Sequence, residues 1–257
     1  MTSPAVGTVT ARDNPTLVRV RKLQRGGAYR RAGEIWLEGE HLCNALRAHG
    51  RLAQQALISD SAWARQPLRE LAHWAPRVTR LSDELFATVS ELPSPVGIGL
   101  LVEAPPLPAL QPALPTVVLD RLQDAGNVGS ILRSAAAFGF GQVIALEGTA
   151  ALWSPKVLRA GMGAHFGLSL LEGLQASVLD SMKITLLAAE AHAALQLHEC
   201  ALPRPCAWVF GHEGQGLDAA VASRCGLALR IEQPGGQESL NVAAAAAICL
   251  YASRVTP

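Results

Sequence analysis

Residues Thr116–Gly139 read TVVLDRLQDAGNVGSILRSAAAFG. An apolar run ends at Asp120, a polar loop follows, and Asn127-Val128-Gly129 opens a segment with Val128, Ile131, Leu132 and Ala135 at helical spacing. This is a strand, a loop and a helix (Asn127–Phe138). The alternation continues downstream. Apolar runs at Gln142–Leu146, Ile184–Glu190, Ala207–Gly211 and Leu227–Glu232 predict strands. Ser154–Ala160 predicts a short helix with Pro155 in its first turn, and Asn241–Arg254 a final one. Strands without polar alternation are buried on both faces, so the expected fold is α/β, a parallel sheet with helices on both sides. No internal repeat is visible.

Upstream, Glu103–Pro115 (EAPPLPALQPALP) holds five Pro in thirteen residues, a composition that favours extended, semi-rigid chain. It is expected to link two domains. Before it, Glu34–Glu38 and Gln55–Ser59 read as strands, Glu40–Ala48 as a helix and Val96–Val102 as a further strand. A small α/β domain is therefore expected over 15–102, after a flexible tail at 1–14. The linker is 103–115 and the main domain 116–257.

The composition excludes several classes. Of 257 residues, 49% are apolar and 17% charged, enough to build a core and too few charges for disorder. No apolar run is long enough to span a bilayer, and the N-terminus lacks a secretory pattern. Five Cys, an odd number with no Cys-x-x-Cys, argue against a disulfide framework or metal site, and for reduced thiols in the cytoplasm. Residues 1–111 carry 13 Lys+Arg against 10 Asp+Glu, for +3; residues 112–257 carry 9 against 11, for −2. Basic charge is densest at Arg12, Arg19, Arg21, Lys22, Arg25, Arg30 and Arg31. Arg clamps phosphate with two parallel hydrogen bonds, so this cluster is compatible with a nucleic-acid footprint. A solvated surface in an Arg-rich chain has the same composition.

Three segments carry the chemistry. In the first, Asn127 stands where a helix cap would, and Arg133 is a charge in a largely apolar helix that needs water, a partner or a ligand. In the second, Trp208–Leu217 (WVFGHEGQGL), a strand runs into three Gly within six residues, with Glu213 among them and His212 as a loop residue. It is neither a dinucleotide fingerprint nor a phosphate loop, for lack of the following helix and of Gly-Lys-Ser/Thr. In the third, Leu229–Tyr251 (LRIEQPGGQESLNVAAAAAICLY), a Pro-Gly-Gly turn precedes a helix that Ser239 or Asn241 would cap. All three loops follow strands. Converging, they would form a pocket of backbone groups and small residues.

These segments resemble, in order and spacing, the three motifs of the SpoU branch of the SPOUT RNA methyltransferases. The resemblance rests on Asn127, Gly129 and Arg133; on Gly211, Glu213, Gly214, Gly216 and Leu217; and on Ile231, Gly236, Glu238, Ser239, Leu240, Asn241 and Val242. Ser154-Pro155-Lys156 and Arg159-Ala160-Gly161 resemble the family as well. Val20–Arg31 and Glu34–Leu46 resemble the ribosomal-protein-like substrate-binding domain that often precedes it.

The resemblance implies a deep trefoil knot in the C-terminal domain, a homodimer with the site near its interface, and transfer of methyl from S-adenosylmethionine to a ribose 2′-hydroxyl of RNA, rRNA ahead of tRNA. It implies that Gly211, Ile231, Leu240, Gly216 and Val242 hold the cofactor. It puts Asn127, Arg133, Glu213, Ser239 and Asn241 around the transfer site, with Arg133 activating or fixing the attacking hydroxyl. Guanidinium is a poor base, which favours fixing. Two departures stand out: Ile231-Glu232-Gln233 where the family usually has Ile-Pro-Met, and Asn241-Val242-Ala243 where it usually has Asn-Val-Ser. The competing readings are a non-catalytic RNA-binding or ribosome-assembly protein that keeps the fold, and a nucleotide-dependent α/β enzyme of another class.

Overall fold

The computed structural model describes residues 4–235 and 239–254. Gly236 and Glu238 of the third motif lie outside them. The chain packs as two compact units. One runs up to Pro106 and takes in Trp153–Phe166; the other comprises Leu107–Leu152 and the residues from Gly167 onward.

The first unit is built on a five-stranded sheet of β1 (Ala5–Thr8), β2 (Glu34–Glu38), β3 (Gln55–Ser59), β4 (Arg77–Leu81) and β5 (Ile98–Glu103). Its order is β1-β4-β3-β5-β2, with β4 parallel to both neighbours and β5 antiparallel to β2 and β3. Helices α1 (Pro15–Leu23), α2 (Tyr29–Ala32), α3 (Glu40–Ala48), α4 (Asp60–Ala64), α5 (Gln66–Ala72) and α6 (Asp83–Ala87) complete it. Their starts follow local chemistry: Asn14, Ser59 and Ser82 accept a backbone N–H from the first turns of α1, α4 and α6. Two sequence readings change. Ala5–Thr8 is not tail but an edge strand, held by Ala5 N–H donating to Pro76 O and Val9 N–H to Arg80 O. All four of its residues are exposed, so no hydrophobic pattern could announce it. β4 was missed because Arg77 and Arg80 interrupt its apolar residues, although Val78 and Leu81 are buried.

The second unit contains β6 (Thr116–Leu119), α7 (Ala125–Ala137), β7 (Gln142–Leu146), then, beyond the excursion described below, β8 (Ser169–Leu174), β9 (Thr185–Ala189), β10 (Leu195–Gln196), β11 (Cys206–Phe210), α9 (Ala219–Ala222), β12 (Leu227–Arg230) and α10 (Val242–Ala252). The strand order is β10-β12-β9-β11-β6-β7-β8, and every neighbouring pair is parallel. β6, β7 and β11 are buried at every residue, as strands covered on both faces must be. Leu119 lies opposite both Phe210 and Ala145, so the central strands end level and open their carboxyl ends on one rim. One face carries Val118, Ile144, Leu171 and Val209 in a common cluster. α10 packs against both α7 and β11.

The excursion between β7 and β8 is Trp153–Phe166, with α8 (Pro155–Gly161). The sequence reading put this helix in the C-terminal domain; it packs instead within the first unit, against β2. Pro155, Val157 and Leu158 are buried there, Tyr29 Oη accepts from Trp153 N–H at 3.4 Å, and Arg159 pairs with Glu91 at 3.2 Å. Helical spacing predicts the helix but not which core takes its apolar side.

All five Cys are free, and Cys43, Cys206 and Cys249 are buried. Burial pushes the Cys249 thiol up to about 12 and Cys225 up to about 11, so both stay protonated at neutral pH. Behind the rim, the Trp208 indole N–H donates to Ser253 Oγ at 2.7 Å, and that hydroxyl donates to Cys249 O at 2.8 Å. Ser253→Ala strands a buried N–H. Thermal unfolding should register a loss of about 1–3 kcal/mol; an unchanged midpoint would mean that the indole finds another acceptor.

Candidate functional site

The rim formed by the carboxyl ends of β9, β11 and β12 borders a cavity of about 810 Å³, within the range of small-molecule sites. Its wall includes Gly211, Gly216, Ile231, Leu240 and Val242, the five residues expected to hold a cofactor, and Glu213, Ser239 and Asn241 from the expected transfer site. Leu229, Ile231, Leu240 and Val242 make part of it apolar, while Glu213 and Asn241 make another part polar.

The Gly-rich loop has a definite shape. His212 N–H donates to Gly216 O and Gly216 N–H to His212 O, which closes a tight bridge. The His212 ring is more than a loop residue: its Nδ1 accepts from Gly214 N–H at 3.0 Å and Gln215 N–H at 3.3 Å. Gly216 has φ of +68°, a conformation that favours Gly. Gly211 is needed for another reason: a Cβ there would stand 2.5 Å from the Gly216 carbonyl carbon and 2.6 Å from Leu217 N. The loop therefore presses its own backbone together over the end of β11.

Asn127 is not the helix cap. Asp124 caps α7, accepting Asn127 N–H at 2.7 Å, and the helix begins two residues before Asn127. The Asn127 side chain is thereby free for work across the rim. Its Nδ2 donates to Glu213 Oε1 at 3.2 Å, and its Oδ1 accepts from Asn241 Nδ2 at 3.0 Å. Asn241 does cap α10, accepting Ala243 N–H at 2.9 Å and Ala244 N–H at 3.3 Å. Capping consumes its oxygen and orients its amide nitrogen at Asn127. One residue from each motif thus joins a single chain, Glu213–Asn127–Asn241, at the cavity edge.

Arg133 does not join it. It is exposed, does not line the cavity, and at about 100° per residue lies roughly 240° around α7 from Asn127. Ser239 lines the wall and is exposed.

Asp120 and Arg121 were passed over by the sequence reading. Asp120 is 2% exposed; its Oδ2 accepts from Asp218 N–H at 2.7 Å, and Arg121 forms an ion pair with it at 3.0 Å. Arg121 also donates to Gln215 Oε1 at 3.1 Å and Gly216 O at 3.3 Å, from a backbone with φ of +58°. The Asp120 carboxylate holds the Arg121 guanidinium above its ordinary pKa. The pair pins the Gly-rich loop to the end of β6. Asp120→Asn should weaken this anchor and cost about 1–3 kcal/mol, with faster amide exchange at Gly214–Leu217; wild-type exchange there would refute the anchoring role. Glu190 and His192 also line the cavity and were missed. The available signal was their place just after β9, at the carboxyl end of a strand in an open sheet.

In the first unit, Arg19 pairs with Glu34 at 3.4 Å and donates to Gln55 at 3.2 Å, and Arg21 donates to Arg12 O at 2.6 Å. Lys22, Arg25 and Arg31 are exposed, and Arg30 lies 5.7 Å from the Tyr29 ring centre. Among the described residues no helix is long and apolar enough to cross a membrane, and no His/Cys/Asp/Glu cluster could hold a metal.

Residues 115–251 match the SpoU rRNA Methylase family. The chain is 31% identical over 219 residues to the 23S rRNA (guanosine(2553)-2′-O)-methyltransferase RlmP of Bacillus subtilis, covering 84% of this chain and 86% of that one. Its fold matches a crystal structure of an RNA 2′-O ribose methyltransferase with a TM-score of 0.82 and 27% identity, over 96% and 98% of the two chains. The SpoU methyltransferase AviRb from Streptomyces viridochromogenes, solved in complex with AdoMet, shares the fold at a TM-score of 0.84 and 24% identity, over 93% and 97%.

Proposed function

From the premise that the chain belongs to the SpoU rRNA methylase family, we propose how its pocket works and on which RNA. It is an S-adenosylmethionine-dependent RNA methyltransferase that modifies a ribose 2′-hydroxyl. The observation that carries the site proposal is the Glu213–Asn127–Asn241 chain at the edge of a cavity lined largely by backbone and apolar groups.

S-adenosylmethionine supplies the electrophilic methyl when bound. The residues present fit it: Gly211 and Gly216 offer backbone at close range, and Ile231, Leu240 and Val242 offer apolar wall. Asn127 holds Glu213 in place, and Asn241 holds Asn127, so the polar edge is rigid before RNA arrives. Rigid placement of reactants lowers the barrier without a strong base. Arg133 fixes the RNA beside the attacking hydroxyl, and a second copy of the chain delivers it. Support for the homodimer comes from α10, where Ala244, Ile248 and Tyr251 form an exposed stripe, Ile248 at 42% and Tyr251 at 56% exposure, next to the α7 that bears Arg133.

The same proposal gives the C-terminal unit a deep trefoil knot, supported by its non-sequential order β9-β11-β6 and the return of α10 to α7. It takes 15–102 as the RNA-binding domain, with Arg19, Arg21, Lys22, Arg25, Arg30 and Arg31 on its basic side, Arg19 partly engaged with Glu34 and Arg21 with Thr88 within the domain. It takes 103–115 as the linker and the cytoplasm as location, to which five free thiols are suited. The substrate is rRNA ahead of tRNA, a choice supported by the relative RlmP, a 23S rRNA methyltransferase. Ribose-methylation mapping of total rRNA and tRNA from cells lacking the protein tests this: one rRNA position should lose its methyl. Loss confined to tRNA would reverse the assignment.

A further inference from the structure

His212 has two ring nitrogens, and the Gly-rich loop fixes the state of one. Nδ1 lies 3.0 Å from the Gly214 nitrogen and 3.3 Å from the Gln215 nitrogen, and both of these are N–H donors. Facing two donors, Nδ1 has to be the bare, accepting nitrogen, so the ring that braces this loop is neutral and carries its proton on Nε2. The turn it braces is the one closed by the His212–Gly216 bridge, where Gly216 takes a φ of +68°. A proton added at Nδ1 would set an N–H against two N–H groups, and both bonds would be lost together. Imidazole is the side chain whose charge ordinarily changes between about pH 5 and 8.

We infer that His212 is a positioning residue that makes cofactor binding depend on pH: the neutral ring holds the Gly-rich loop in its closed shape, and protonation at Nδ1 releases it. The inference rests on S-adenosylmethionine binding in this cavity, and it concerns the shape of the loop rather than a contact with the ligand. A ligand that binds only the closed loop loses affinity in proportion to the closed fraction. Acid therefore weakens binding, and raising the pH restores it. Among the described residues, the other titratable or charged groups about the loop are Glu213 within it, Arg121 with Asp120 and Asp218 at its anchor, and Glu190 and His192 on the cavity wall. A wild-type pH profile alone would not separate His212 from these. An Asn side chain does: its Oδ1 stands where Nδ1 stands, accepts the same two N–H groups, and does not titrate.

The test is calorimetric titration of the full chain with S-adenosylmethionine at about pH 7.5 and about pH 5.5, towards the two ends of the imidazole range. Wild type, His212→Asn and His212→Ala are compared, with melting temperatures at both pH values as the folding check. Between the two pH values wild type should lose about tenfold more affinity than His212→Asn, the scale of two backbone hydrogen bonds. Groups elsewhere in the site, and the ligand's own titration, act on both proteins alike and cancel in that comparison. At the higher pH, His212→Asn should bind more tightly than His212→Ala, because only Asn replaces the acceptor. An equal pH-dependent loss in wild type and His212→Asn overturns the inference, and so does an Asn variant that binds no more tightly than the Ala variant. Folded wild-type protein that fails to bind S-adenosylmethionine at the higher pH overturns the cofactor reading itself, and the role of His212 with it.

Discussion

Mixing two inactive variants, Arg133→Ala and Asn127→Ala, should restore methyl transfer. Each alone should lose transfer by two orders of magnitude or more, on the scale of about 10²–10³ for a group that stabilises developing charge. Arg133→Ala should keep wild-type affinity for S-adenosylmethionine, because Arg133 lies off the cavity wall. In a two-fold dimer whose sites take Asn127 from one copy and Arg133 from the other, a mixed dimer has one site with both residues intact. Random mixing then returns about a quarter of wild-type activity. If Arg133 served its own chain's pocket, every site in the mixture would carry a defect and the mixture would stay inactive. Near wild-type single-turnover transfer by Arg133→Ala alone would remove the residue from the mechanism altogether.

Gly211→Ala should markedly weaken cofactor binding. The added Cβ would meet backbone, the Gly216 carbonyl carbon at 2.5 Å and its oxygen at 2.6 Å, and backbone cannot swing aside as a flexible side chain can. The loop would have to open, breaking the His212–Gly216 bridge and pulling Gly216 from Arg121. Affinity for S-adenosylmethionine should fall by at least about tenfold, the scale of one backbone hydrogen bond lost at about 1–3 kcal/mol. β11 and the core behind it should survive, so far-ultraviolet dichroism should stay near wild type. Retained affinity in a folded Gly211→Ala protein would show that the loop relaxes without cost and that its tight closure is not what shapes the pocket. Gly214→Ala is the control: its Cβ would meet only the His212 ring, at 3.8 Å and beyond.

The cavity lining was largely legible because it is local. Gly211 and Gly216 lie in a strand-to-loop transition, and Ile231, Leu240 and Val242 flank a Pro-Gly-Gly turn. Asn127 shows the limit. A strand, a loop and an Asn before an apolar helix fit a cap, but Asp124 three residues earlier takes that role, and a cap competes for the same side-chain oxygen that Asn127 offers Asn241. At Asn241 the two alternatives, cap and site, turn out to be one geometry. Asp120 and Arg121 gave no signal because an Asp-Arg pair in a loop usually faces water; only the packing of the β6 and β11 ends buries Asp120.

By itself the sequence determined the parallel α/β unit, through strands without polar alternation, and the three loops that line its rim. Periodicity and turn chemistry act over a few residues, and a few residues suffice to write them. Tertiary structure alone decided that Ala5–Thr8 is a strand, that α8 belongs with the first unit, that Asn127 reaches Glu213 and Asn241, and that Arg133 stays off the pocket of its own chain. Each of these depends on which distant surface meets a segment. An edge strand with exposed side chains is held by backbone hydrogen bonds, and a short amphipathic helix fits any core of suitable shape, so neither carries the address of its partner in its own residues.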